Sequence, residues 1–142
     1  MKILVVDDDV MLADFLETIL LDQGHDVCGV TTNVAEAVAL VRLHRPDIAV
    51  LDMKLKGTEL GSDIAHQLAE AGDLRDLGIL YVTGGVDFLH QHAGIGHACL
   101  QKPYSEAALA AALPIVRSIV RGCAVSGALP HGMQLLRLAQ AA

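Results

Sequence analysis

Ile48–Gly57 reads IAVLDMKLKG. Four apolar residues run straight into a single acid, Asp52, and the chain then turns polar and reaches a glycine. A short apolar run bounded in this way is the pattern of a strand buried on both faces, as in a parallel sheet. Such a strand delivers one carboxylate to a loop mouth, where it can act as a nucleophile or a metal ligand. Asp52 is therefore the position around which the rest of the chain is read.

Upstream, Lys2–Val6 has the same grammar and ends on Asp7, Asp8 and Asp9. Asp9 is expected to cap the next helix by accepting its free N–H groups. That helix is predicted to run to about Gln23 and stop at Gly24, with Met11, Phe15 and Ile19, and also Leu12, Leu16 and Leu20, on its buried side. Asp26–Thr31 reads as a second strand. Asn33 should cap a helix from Val34 to about His44 that turns Ala37, Val38 and Val41 inward, and Arg45-Pro46-Asp47 breaks it.

Downstream, Leu60–Ala71 is predicted helical, with Ile64, Ala65 and Leu68 facing inward. Gly78–Val82 is the fourth strand and runs into Thr83-Gly84-Gly85. Val86–His97 carries His90, His92 and His97 with two glycines and admits at most a short helix near Val86–His92. Ala98–Leu100 is the fifth strand, followed by Gln101-Lys102-Pro103. Ser105 should cap a last long helix bearing Leu109, Leu113, Val116 and Val120. Pro114 lies inside it, removes a donor and crowds the turn before, so a kink or break is expected near Ala110–Leu113. Gly122–Pro130 is loop-like, and His131–Ala142 could form a short helix with Met133, Leu136 and Ala139 on one side.

Alternating strands and helices predict an α/β fold: a parallel sheet with right-handed crossovers. The 142 residues are one domain's worth, and 53% apolar residues suffice for a core, which at 3% aromatic must be built from aliphatic side chains. A formal charge of −7 with no basic stripe argues against direct DNA binding. Cys28, Cys99 and Cys123 are odd in number and lack zinc spacing, as in a reducing compartment. No segment reads as a signal peptide or membrane span, so a cytoplasmic protein is expected.

Ligands of such sheets sit beyond the carboxyl ends of the strands. There the sequence places Asp7, Asp8, Asp52, Thr83 and Lys102. Converging carboxylates repel one another, and a divalent cation is the usual compensation. Magnesium suits oxygen ligands and accepts phosphate oxygens. An aspartate set between a metal, a lysine and a hydroxyl can attack a phosphoryl group and become an acyl phosphate.

ILVVDDD, VLDMKLKG, YVTGG and LQKPY, in this order, resemble the receiver domain of bacterial two-component response regulators. The likeness covers about residues 1–121 and leaves 122–142 as a C-terminal extension. It implies a flavodoxin-like, doubly wound, five-stranded sheet of order 2-1-3-4-5, but the 18 residues between Thr83 and Lys102, fewer than is typical, make the fourth helix short. It further implies phosphorylation of Asp52 by a histidine kinase or histidine phosphotransfer protein, with Mg2+ held by Asp8, Asp52 and the Lys54 carbonyl and by Asp7 through water. Thr83 would turn toward the phosphoryl group and Lys102 would grip it. Such a protein signals by protein contact or by relaying phosphate, and catalyses only its own phosphorylation and dephosphorylation.

Two departures stand out. The family's switch aromatic, three residues before the lysine, is Cys99, and the usual proline four residues after the aspartate is Lys56. Thr-Gly after strand four together with the missing aromatic is similar to an atypical, single-domain receiver type. About 20 residues after Arg121 are too few for a DNA-binding output domain. The tail helix could be a homodimer surface or cover the domain's own flank.

Blander readings attach to the same residues. The acids could be helix caps, Thr83 a turn residue, Lys102 and Lys54 surface lysines, Cys99 a small core residue, and the histidines surface groups rather than a metal site. The functional reading of Lys54 is that its charge protects an acyl phosphate from water. One competing function is a degenerate receiver that binds partners without phosphorylation. A second is a haloacid-dehalogenase-like phosphatase using Asp7 and Asp9, against which Glu106 is the one acid beyond Lys102 where that chemistry needs a pair.

Overall fold

The computed structural model describes residues 1–92, 94–125 and 127–136. Its strands are β1 (Lys2–Val6), β2 (Asp26–Thr31), β3 (Ile48–Asp52), β4 (Gly78–Thr83), β5 (Ala98–Gln101) and β6 (Met133–Leu135). Its helices are α1 (Val10–Asp22), α2 (Val34–His44), α3 (Gly61–Glu70), α4 (Val86–His92) and α5 (Glu106–Val120). The sheet order is β2-β1-β3-β4-β5-β6, with the first five strands parallel and β6 antiparallel to β5.

The apolar runs behave as their composition dictates. β3 and β4 are buried along their whole length, because helices cover both faces of the sheet. Side chains alternate between faces. Leu4, Val6, Ala49, Leu51, Ile79, Tyr81 and Cys99 meet α2 and α3, and Ile3, Val5, Ile48, Val50, Leu80, Val82 and Leu100 meet α1 and α5. Asp9, Asn33 and Ser105 cap their helices as expected, with Asp9 accepting from the N–H groups of Met11 and Leu12. Each such cap contributes on the order of 1 kcal/mol.

Three expectations are corrected. Along α1 the buried residues are Ala13, Leu16, Ile19 and Leu20, while Met11, Leu12 and Phe15 lie exposed. Eight of the first twelve α1 positions are large and apolar, so helical periodicity does not single out one face, and packing selects the stripe that carries the small Ala13. Pro114 causes no break: α5 is one helix from Glu106 to Val120. Leu109, Ala112, Leu113 and Val116 are buried on both sides of the proline and hold it against the sheet.

The third correction concerns the tail. Residues 133–135 form a strand rather than a helix, which adds a sixth, antiparallel strand to the five parallel strands that stand in the expected order 2-1-3-4-5. Without β6, β5 would present an unpaired edge of N–H and C=O groups. The tail satisfies it: Gln101 N–H donates to the Gly132 carbonyl at 2.9 Å and Leu136 N–H to the His97 carbonyl at 3.0 Å. Gly132 has φ +83, which lets the chain turn into the strand. Buried Met133 joins the α1/α5 side of the core. Ala139 and the rest of the expected helix lie outside the described residues.

Candidate functional site

Strand register assembles the site. Val6 pairs with Leu51 and Asp52 with Val82, so Asp7 leaves β1 beside Asp52. Thr83 pairs with Gln101, which sets Lys102 just past the same edge, and Lys102 N–H donates to the Thr83 carbonyl at 2.7 Å. Residues up to 95 positions apart thus converge because each strand ends where its neighbour does.

One oxygen each from Asp7, Asp8 and Asp52 lies within 4.8 Å of the others, and this is the one such cluster of candidate ligands among the described residues. Lys102 Nζ stands 3.5 Å from Asp7 Oδ2 and 3.5 Å from Asp52 Oδ1. Asp7 is further fixed by accepting the Asp9 N–H at 2.9 Å. Asp7 and Asp52 are buried and Asp8 is half-buried. Burial pushes the Asp52 carboxyl up to about 6; Lys102 opposes the shift, and the charges of Asp7 and Asp8 add to it.

That shift has a consequence for stability. The folded protein holds the Asp52 proton more tightly than the unfolded chain, so stability is greatest below about pH 4 for this group and is lost as pH rises through 6. Asp52→Asn removes the charge. In metal-free buffer at pH 7.5 it is expected to be more stable than the parent by about 1–2 kcal/mol, after allowance for solvent screening. The gain should vanish toward pH 4. Urea denaturation at both pH values checks this, and a variant less stable than the parent at pH 7.5 contradicts it.

The other expected residues are placed as follows. The buried Thr83 hydroxyl donates to the Gly85 carbonyl at 3.2 Å and accepts the Gly85 N–H at 3.1 Å, so at rest it is tied to the loop before α4. Lys54 sits in the loop after β3, bridged to Leu60, with its ammonium 4.2 Å from the centre of the Phe88 ring. Cys99 is fully buried, and burial raises its thiol pKa. Of the histidines, the His97 Nδ1 accepts the Ile79 N–H at 3.0 Å and His90 pairs with Gln134 at 3.2 Å. Asp9, the second acid of the phosphatase alternative, is engaged as the α1 cap.

Three residues near the site were not singled out by sequence. Tyr104 lies close enough to the acids that burial, then the charges of Asp7 and Asp52, push it up to about 12. Phe88 was hidden in the segment of weakest pattern. Tyr81, fully buried on β4 beside Cys99, donates its hydroxyl to the Ile95 carbonyl, and Gly96 lies flat against its ring, where a Cβ would come 2.4 Å from Cε2. The residue paired with Cys99 on the neighbouring strand is thus aromatic.

The donor set fits a hard cation. Three convergent carboxylates offer only oxygen, and Lys102, in contact with two of them, leaves excess negative charge.

Residues 3–114 match the family described as the response regulator receiver domain. The transcriptional regulatory protein PdtaR of Mycobacterium tuberculosis is 26% identical over 121 residues, 84% of this chain and 58% of that protein. The DNA-binding response regulator MtrA of Mycobacterium leprae is 40% identical over 72 residues, half of this chain and 31% of that protein. The chain thus spans less than two thirds of either relative. Among solved structures, the signal receiver domain of a modulated diguanylate cyclase from Desulfovibrio desulfuricans is 30% identical, with a TM-score of 0.71 over 84% of this chain and 95% of that one. Chemotaxis protein CheY4 of Vibrio cholerae, at 22% identity and a TM-score of 0.70 over 81% of this chain and 97% of that one, shares the fold.

Proposed function

This chain belongs to the response regulator receiver domain family, and on that premise we propose that it accepts a phosphoryl group on Asp52 from the phosphohistidine of a kinase or phosphotransfer protein. The observation that carries the reading is Lys102 Nζ, 3.5 Å from both Asp52 and Asp7 at the rim of a three-carboxylate cluster. An ammonium there can neutralise an oxygen of an incoming phosphoryl group as well as the carboxylates.

The transfer is a single displacement. An Asp52 carboxylate oxygen attacks phosphorus, the N–P bond breaks, and its electron pair returns to the imidazole nitrogen. The product is an acyl phosphate and a free histidine. With its carboxyl near 6, Asp52 is largely ionised at neutral pH and available as a nucleophile. Asp7, Asp8, Asp52 and the Lys54 carbonyl would hold Mg2+, which would supply positive charge against the phosphoryl oxygens. Thr83 would leave Gly85 to donate its hydroxyl to the phosphoryl group. Lys102 keeps Asp7 and Asp52 in register before transfer and holds a phosphoryl oxygen after it.

The chain then acts as a cytoplasmic signalling receiver that catalyses only its own phosphorylation and dephosphorylation. Its output is a protein contact or onward relay of the phosphoryl group. No helix among the described residues is long and apolar enough to cross a membrane.

Incubation with acetyl phosphate and Mg2+, followed by intact mass measurement, tests this. The parent should gain one phosphoryl group and Asp52→Asn none. A parent that gains nothing favours the degenerate receiver, binding partners without phosphorylation.

A further inference from the structure

Lys54 and Thr83 approach the first turn of α4 from different strands. Thr83 closes a two-way hydrogen bond with Gly85, immediately before α4. Lys54 lays its ammonium 4.2 Å above the ring of Phe88, the third residue of α4. Phe88 is half-buried against the α2/α3 side of the core, so the ring does not wander. Lys54 is exposed, two residues from Asp52, on a flexible stem. The Lys54 ammonium faces the ring, while the Lys102 ammonium is the one held 3.5 Å from an Asp52 oxygen.

We propose that Phe88 is a docking platform that holds the Lys54 ammonium until Asp52 is phosphorylated, and that it thereby sets the lifetime of the acyl phosphate and ties α4 to the site. This inference rests on the phosphoacceptor reading above. A phosphoryl group at Asp52 brings close to two negative charges to a site two residues from Lys54. A charged oxygen binds an ammonium more strongly than the face of a half-exposed ring does. The ammonium therefore divides its time between ring and phosphoryl oxygen, and its departure removes one tether on the start of α4. The same phosphoryl group draws Thr83 from Gly85, a second tether. Loss of both loosens α4 without any rotation of a ring on β5, where this chain carries Cys99.

The ammonium also governs hydrolysis. In that step a water oxygen attacks phosphorus, the P–O bond to Asp52 breaks with its electron pair left on the carboxylate, and the water proton passes to solvent. Lys54 comes from the exposed side of the loop, so when engaged it occupies space through which water enters. The ring competes for that engagement. Phe88 is a positioning residue, acting through Lys54.

The parent, Phe88→Leu, Phe88→Tyr, Lys54→Ala and the Lys54→Ala/Phe88→Leu double variant are loaded with acetyl phosphate and Mg2+, freed of donor, and followed by intact mass. Phe88→Leu should lengthen the acyl-phosphate lifetime about threefold, the scale of a half-exposed cation–π contact. Phe88→Tyr keeps the ring face and should match the parent. Lys54→Ala should shorten the lifetime several-fold, and Phe88→Leu should then have no further effect. Phe88→Met serves as a second ring-free variant where Phe88→Leu does not fold. Equal lifetimes in the parent and the ring-free variants overturn the dock, as does the same change with and without Lys54. A parent that never loads overturns the phosphoacceptor reading itself, and the dock with it.

Discussion

Lys102→Ala is expected to slow phosphoryl uptake at Asp52 by a factor of about 100, the scale seen when one charge-stabilising donor is removed from a reaction centre. Two effects act in the same direction. The ammonium that stands 3.5 Å from Asp52 Oδ1 is gone, so nothing in its place neutralises the phosphoryl oxygens during transfer. Lys102 also restrains the upward shift of the Asp52 carboxyl. Without it Asp52 titrates above 6, and a larger fraction is protonated and unreactive at neutral pH. Lys102→Arg keeps the charge and should recover part of the rate, limited by the bulk of the guanidinium. Initial rates of mass gain with a small phosphodonor at pH 7 and pH 8.5 check both effects, because the protonation part should shrink at the higher pH. Uptake at the parent rate would remove Lys102 from the mechanism.

Gly61→Ala should be the most damaging single-methyl change near the site. A Cβ there would lie 2.3 Å from the Asp52 carbonyl oxygen and 3.1 Å from its carbonyl carbon. Both are backbone atoms of a buried strand and cannot rotate away. Gly61 N–H also donates to the Met53 carbonyl at 2.8 Å, which pins the start of α3 against the end of β3. The added methyl must therefore push α3 off the strand that carries Asp52. A loss of about 2–3 kcal/mol is expected, at the upper end for overpacking, and it should be accompanied by slower phosphoryl uptake. Gly57→Ala is the contrast. Its Cβ meets nothing within 4 Å, but φ is +68, so the strain alone should cost roughly 1 kcal/mol. Urea denaturation of the two variants measures the difference, and equal midpoints would contradict the close approach at Gly61.

The sheet and most of the site were legible because their signals are local and redundant. The strands that build the site are short, mostly apolar runs, and all four lead into a polar residue of distinct chemistry. Alignment of strand ends in a parallel sheet then brings Asp7, Asp52, Thr83 and Lys102 to one edge without further assumption. Helix caps were equally readable, since Asp9, Asn33 and Ser105 each act within three residues of their position.

The errors fall where the deciding contact is distant. Helical spacing in α1 fits several faces, and the one chosen depends on the sheet beneath it. Pro114 breaks a helix in isolation, but here the buried residues flanking it keep the turn in place. The tail reads as weakly helical because its strand exists only against the free edge of β5, more than 30 residues earlier in the chain. Phe88 and Tyr81 escaped for the same reason: the one matters through Lys54, and the other through Cys99 and Gly96.

The central claim is that the Asp52 carboxylate becomes the acyl phosphate. Reduction with borohydride converts an aspartyl phosphate to homoserine and leaves free carboxylates untouched. After loading with acetyl phosphate and Mg2+, reduction and peptide mass mapping, homoserine should appear at position 52 and at no other aspartate. Homoserine at Asp7 or Asp8, or an unmodified position 52 in protein that has gained a phosphoryl group, would contradict the account.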